Sequence, residues 1–147
     1  ASDVYKRQDL SLVMKLLQFL RHSSRLTFKA GDSVKELRII TQQDLDSFSN
    51  LSGDHNPIHK KIENSKSIVH GAFLNSIVSG IIGTKLPGAG TIVVSQNFSF
   101  PSKCFVDEPI EIYVTLMDER KIMKVKYECT QSGNVVFQGD AKVVMVK

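Results

Sequence analysis

The sequence predicts an α+β domain in which a long antiparallel sheet wraps around one apolar helix. Three observations carry this. The stretch Ile68–Pro87 is long enough for four helical turns and is apolar on nearly every side, so it must be buried. After Pro87 the hydrophobic period changes from helical to two. The strands that follow are joined by short turns, which implies antiparallel pairing.

Each element has a local reason. Val34–Ile40 alternates as a short strand. Thr41-Gln-Gln-Asp44 reads as a capping box with Asp in place of the usual Glu. Leu45, Phe48 and Leu51 then supply one apolar stripe at helical spacing, and Gly53 should stop that helix. Asp44 and Asp46 belong to its first turn and solvated face. Lys60–Ser67 is polar and loop-like. In the buried helix the apolar residues are Phe73, Leu74, Ile77, Val78, Ile81 and Ile82, and Pro87-Gly88 ends it. Gly71, Asn75 and Ser79 share one face of it, as a small and polar row. Thr91–Phe100 is a strand with Ile92, Val94, Phe98 and Phe100 expected on one side. Ile110, Ile112, Val114 and Leu116 mark the next strand, and Met123, Val125 and Tyr127 another. Ser132-Gly133-Asn134 is a turn, and Val135–Val146 is the last strand. The lysines within Lys121–Lys126 fit a wet sheet face.

A length of 147 residues, with 41% hydrophobic and 23% charged residues, fits one domain with a sizeable core. No apolar run is long enough to span a membrane. Cys104 and Cys129 are too few and isolated for a disulfide framework or zinc site; two structural thiols in a reducing compartment are the simpler reading. Residues 1–30 hold six Lys/Arg and two Asp, which accounts for the whole formal charge of +4. The remainder is neutral, which argues against a nucleic-acid partner.

The N-terminal segment divides in two. Asp3-Val-Tyr-Lys-Arg-Gln8 resembles the in-frame translation of a transposon end used in sequencing adaptors, and is set aside. Met14 is then the expected start. Met14–Leu26 is apolar, basic, Ser-containing and free of acids, the composition of a mitochondrial transit peptide. An ordinary amphipathic surface helix is the alternative. The domain is expected at 27–147.

The chemistry concentrates in Phe48-Ser-Asn-Leu-Ser-Gly-Asp-His-Asn-Pro-Ile-His59. Gly53 permits a left-handed backbone, and Asn56-Pro57 forces a turn. Asp54 and His59 can therefore be aimed at one small molecule, the minimum equipment for general acid–base catalysis. A decorated surface turn is the plainer alternative. Asn56 is read as holding the turn, and His55 and His70 as scaffold or solvent-facing. His22, His55, His59 and His70 lack a metal-ligand spacing, so no metal is expected.

These residues also carry a family resemblance. Phe48-x-x-Leu51-Ser52-Gly53-Asp54-x-Asn56-Pro57-Ile58-His59, with Ser65 six residues on, resembles the signature of R-specific enoyl-thioester hydratases and MaoC-like dehydratases. Ile68-Val-His-Gly71 resembles the family's second landmark. Gly83–Gly88 and Ser95–Pro101 look like further segments. The resemblance implies a hotdog fold, usually dimeric, and reversible dehydration of 3-hydroxyacyl thioesters without cofactor. It implies Asp54 and His59 as the acid–base pair, with Ser79 nearby. Gly71, opening the buried helix, suits an oxyanion donor, because first-turn N–H groups are unpaired and a glycine admits the thioester closely. Close sheet packing is the other reading of the Gly71/Asn75/Ser79 row.

A transit-like N-terminus narrows the resemblance to the mitochondrial 3-hydroxyacyl-thioester dehydratases, which act on acyl carrier protein. An R-specific enoyl-CoA hydratase is the alternative, followed by a thioesterase or a non-catalytic acyl-binding protein. The His59–His70 spacing is about six residues shorter than the family pattern implies, a change that loop closure tolerates cheaply.

Overall fold

A computed structural model describes residues 28–146. The adaptor-like and transit-like segments lie outside the described residues. The order is β1 (Ser33–Ile39), α1 (Gln42–Ser52), a 3₁₀ turn (Pro57–His59), α2 (Gly71–Thr84), β2 (Thr91–Ser99), β3 (Pro109–Asp118), β4 (Met123–Gln131) and β5 (Asn134–Met145). The five strands form one antiparallel sheet in the order β1-β3-β4-β5-β2. Its inner face curls around α2, the hotdog arrangement.

The core is the inner face plus the helix. Ile110, Ile112, Val114 and Leu116 of β3 are fully buried, as are Val125 and Cys129 of β4. Leu74, Val78, Ile81 and Ile82 of α2 pack into them. Lys124 and Lys126 alternate with the buried residues of β4 and stand exposed on the outer face. Cys104 and Cys129 are buried free thiols, both pushed up to about 12, with burial the largest cause.

The capping box forms as expected. The Asp44 amide donates to Thr41 Oγ1 at 3.2 Å, and the Thr41 amide donates to Asp44 Oδ2 at 2.8 Å. Hydrogen bonds from the Thr41 backbone and then its side chain hold the Asp44 carboxyl below the usual carboxylate range. Gly53 ends α1 with φ 78°, and its N–H returns to the Ser49 carbonyl at 2.8 Å.

Two expectations need correction. Leu51 is 85% exposed and does not join the core stripe. The buried edge of α1 is Leu45 and Ser49, because Ser49 has a polar partner inside. Strand β2 does not present Ile92, Val94, Phe98 and Phe100 on one side. The β2–β5 register jumps between Val93 and Ser95, and this bulge reverses the alternation. Val93 packs on the core, whereas Ile92 and Val94 are exposed. Gln96 and Phe98, past the bulge, reach Asn75 and Phe137 on the helix side.

Candidate active site

The turn after α1 is built from side-chain-to-backbone bonds. Asp54 Oδ1 accepts the Asn56 amide at 3.1 Å. Asn56 Oδ1 accepts the Ile58 amide at 3.3 Å and caps the 3₁₀ turn, whose first residue is Pro57. This places His59 inward, 7% exposed. The Gln42 side chain ties α1 to the His59 carbonyl at 3.0 Å. Ser67 Oγ donates to Gln42 Oε1 at 2.5 Å, so the short 60–67 loop is lashed to the same helix. The Val69 amide donates to the Cys104 carbonyl at 2.8 Å, which runs the chain beside residues 104–106 before α2 begins.

His59 Nδ1 lies 2.6 Å from the Ile68 carbonyl. A carbonyl only accepts, so Nδ1 carries the proton and the neutral ring keeps its Nε2 lone pair. That Nε2 stands 3.7 Å from Asp54 Oδ2, whose carboxylate is half exposed. The separation is too long for a direct bond. An oxygen at a hydrogen-bond distance of about 2.8 Å from both closes a triangle with them. The pair can thus hold one water or one hydroxyl and exchange protons with it.

Of the two expectations for His70, scaffold or solvent-facing, the first holds. It is not solvent-facing: it is 2% exposed and its ring stacks on His59 with centroids 3.5 Å apart. Its Nε2 lies 3.3 Å from the Asp54 carbonyl and 3.1 Å from Ser49 Oγ. It therefore carries the opposite tautomer from His59, with Nε2–H donating and Nδ1 buried without a partner. Phe48 meets the His70 ring edge-on at 5.0 Å and stacks on Phe73 at 4.9 Å. Burial, and secondarily the charge of a protonated His59, push the His70 pKa down.

This has a stability consequence. An unfolded His70 binds a proton below its ordinary pKa of about 6.5, where the folded one resists it. Stability is therefore complete above that pH and is lost as pH falls below it. His70→Gln should flatten the decline of the thermal midpoint on the acid side, even if it lowers the midpoint at pH 8. Equal acid slopes in both proteins would contradict this assignment.

Asp54, His59 and His70 offer ligand atoms within 4.8 Å of one another, a composition that could take a divalent metal. Ligation through His70 Nε2 would have to displace Ser49 and the Asp54 carbonyl. The open groups are the Asp54 carboxylate and His59 Nε2, which suit proton transfer.

A cavity of about 380 Å³ contains His59, lined also by Ile58, Gly71, Leu74, Phe100 and Cys104. Gly71 opens α2 there, and among the described residues its N–H has no backbone acceptor. Asn75 and Ser79, half-buried one and two turns on, do not line it. Asn75 instead pairs with Gln96 in both directions, at 3.3 and 3.2 Å. A larger depression of about 600 Å³ lies by Lys124, Lys126 and Asp140 of the outer sheet face, without an imidazole.

The family model described as "MaoC like domain" matches residues 27–137. The chain belongs to the MaoC-like family. An (R)-specific enoyl-CoA hydratase from Rhodospirillum rubrum is 31% identical over 126 residues, covering 80% of this chain and 88% of that protein. A mitochondrial 3-hydroxyacyl-[acyl-carrier-protein] dehydratase from Arabidopsis thaliana is 27% identical, covering 90% and 87%. Among solved structures, an (R)-hydratase from A. caviae involved in PHA biosynthesis superposes with TM-score 0.76 at 26% identity, covering 82% of this chain and 99% of that one. This MaoC-like protein is accordingly a hydro-lyase that acts on 3-hydroxyacyl thioesters and their enoyl partners.

Proposed function

We propose that the protein interconverts (3R)-3-hydroxyacyl and trans-2-enoyl thioesters on acyl carrier protein, in mitochondrial fatty acid synthesis. The single observation that carries the chemistry is the Asp54–His59 pair, two open proton-handling atoms 3.7 Å apart, of which His59 lines an apolar cavity. In the dehydration direction the β-hydroxyl sits between them and departs as water. The pair relays the α-proton to the departing hydroxyl. Negative charge building on the thioester oxygen is met by the Gly71 N–H at the start of α2. No cofactor is needed, because the thioester itself polarises the substrate.

The carrier and the compartment rest on the transit-like segment and on the plant relatives. A reporter carrying residues 14–30 should enter mitochondria; a cytosolic reporter would remove that part of the reading. The bacterial relatives support an R-specific enoyl-CoA hydratase as the second reading. Parallel rates on carrier-protein and coenzyme A thioesters separate the two, and carrier-protein substrates should be faster.

The active form is proposed to be a homodimer. Strand β2 is a sheet edge, and it leaves Ile92, Val94 and Phe98 exposed. An apolar edge strand invites pairing with a second copy. Sedimentation at micromolar concentration should show a dimer, and a monomer alone would refute it.

A further inference from the structure

Gly71 has a neighbour that its proposed role does not explain. A Cβ built on Gly71 would meet the tip of the Phe100 ring at 2.6 Å. The open side of the glycine is therefore already filled, by an aromatic ring from the segment after β2. Phe100 also stacks on the fully buried Phe137 at 5.0 Å and 21°, and meets Phe98 edge-on at 5.6 Å. Phe137 in turn stacks on Tyr127 at 5.3 Å. A continuous aromatic cluster thus stands behind one wall of the His59 cavity, and Phe100 is the wall itself.

We propose that Phe100 sets the acyl-chain length the site accepts. The inference rests on the proposed dehydratase reading, because it takes the cavity as the acyl site. A thioester carbonyl placed at Gly71 next to His59 must run its chain alongside this ring. The far end of the chain then meets Phe100 before it can reach Phe98 and Phe137. Phe100 is 46% exposed, so the fold does not depend on its whole side chain. The ring's position against Gly71, and not core stability, is what its size controls. With Phe100 in place the site favours short chains; a smaller residue opens the path along the aromatic cluster.

The test uses binding as well as turnover. Affinities for butanoyl- and octanoyl-CoA are measured by calorimetry on the wild type, Phe100→Ala and Phe100→Leu. The octanoyl-to-butanoyl affinity ratio should rise at least about tenfold in Phe100→Ala, since single methylenes in an apolar pocket discriminate by about that factor or more. Phe100→Leu should rise less. If Phe100→Ala does not fold, Phe100→Leu alone decides, with a rise of about threefold expected. A ratio within about twofold of wild type in every folded smaller variant overturns the inference. So does failure of the wild type to bind either thioester. Intact, ratio-shifted binding without hydration of a crotonyl thioester on either coenzyme A or acyl carrier protein would instead overturn the dehydratase reading and leave the role of Phe100 standing.

Discussion

Asp54→Asn and His59→Ala should each lower turnover by about 10²–10⁴, the range for losing a positioned acid–base group. The reason lies in the triangle. Asp54 Oδ2 and His59 Nε2 are 3.7 Å apart, so one substrate oxygen placed between them would take one contact from each. Asn at position 54 keeps an oxygen for the Asn56 amide, so the turn that presents His59 is retained. Ala at 59 removes the ring but leaves the backbone bonds from His59 N to Asn56 O and from Gln42 to His59 O. Both variants should stay folded by circular dichroism. Because the two groups act together, the double variant should be little worse than the poorer single one. A single variant that keeps more than about half the wild-type rate would sink the assignment.

Gly71→Pro should cost about 10²–10³ in rate, the usual loss for one oxyanion donor. The backbone is suited to this substitution. Gly71 is the first residue of α2, where proline is tolerated and the N–H has no intrahelical partner. The preceding His70 has φ −59° and ψ 132°, the extended region a proline demands of its predecessor. Gly71→Ala is the control. Both variants push on the Phe100 ring, which meets any Cβ at 2.6 Å but is the half-exposed end of a side chain that can give. The two therefore share the cost of the added Cβ, and their difference reports the lost N–H together with the proline ring atoms that replace it. The expected order is wild type, then Ala, then Pro, in the rate constant. Equal losses in Ala and Pro would assign the glycine to packing against Phe100.

The proximity of Asp54 and His59 was legible in the sequence because its geometry is local. Gly53, Asn56 and Pro57 dictate the turn, and Asp54 and His59 lie five residues apart within it. The helix and strands were legible for a similar reason: their faces are either buried or wet over many residues, as β3 and β4 show. The partners of His70 were not legible, because they depend on Ser49, 21 residues earlier, and on a ring stack formed only when the chain returns past Ile68. A buried serine one turn before the helix end was the available signal. Leu51 misled through periodicity alone: α1 turns a polar residue inward to meet that histidine. The face of β2 was lost to one extra residue at the bulge near Val94, which no alternation pattern announces. Phe100 was counted with a strand face, and its contact with Gly71 crosses 29 positions.

Loss of enoyl absorbance when purified protein meets a trans-2-butenoyl thioester, with a thiol reagent present to follow hydrolysis, separates hydration from hydrolysis and from mere binding. Absorbance should fall to a hydration equilibrium in wild type and far more slowly with His59→Ala, and no free thiol should appear. Stoichiometric release of thiol would make the protein a thioesterase. An unchanged absorbance with a bound thioester would make it an acyl-binding protein, and either result would contradict the assignment of Asp54 and His59 as a hydratase pair.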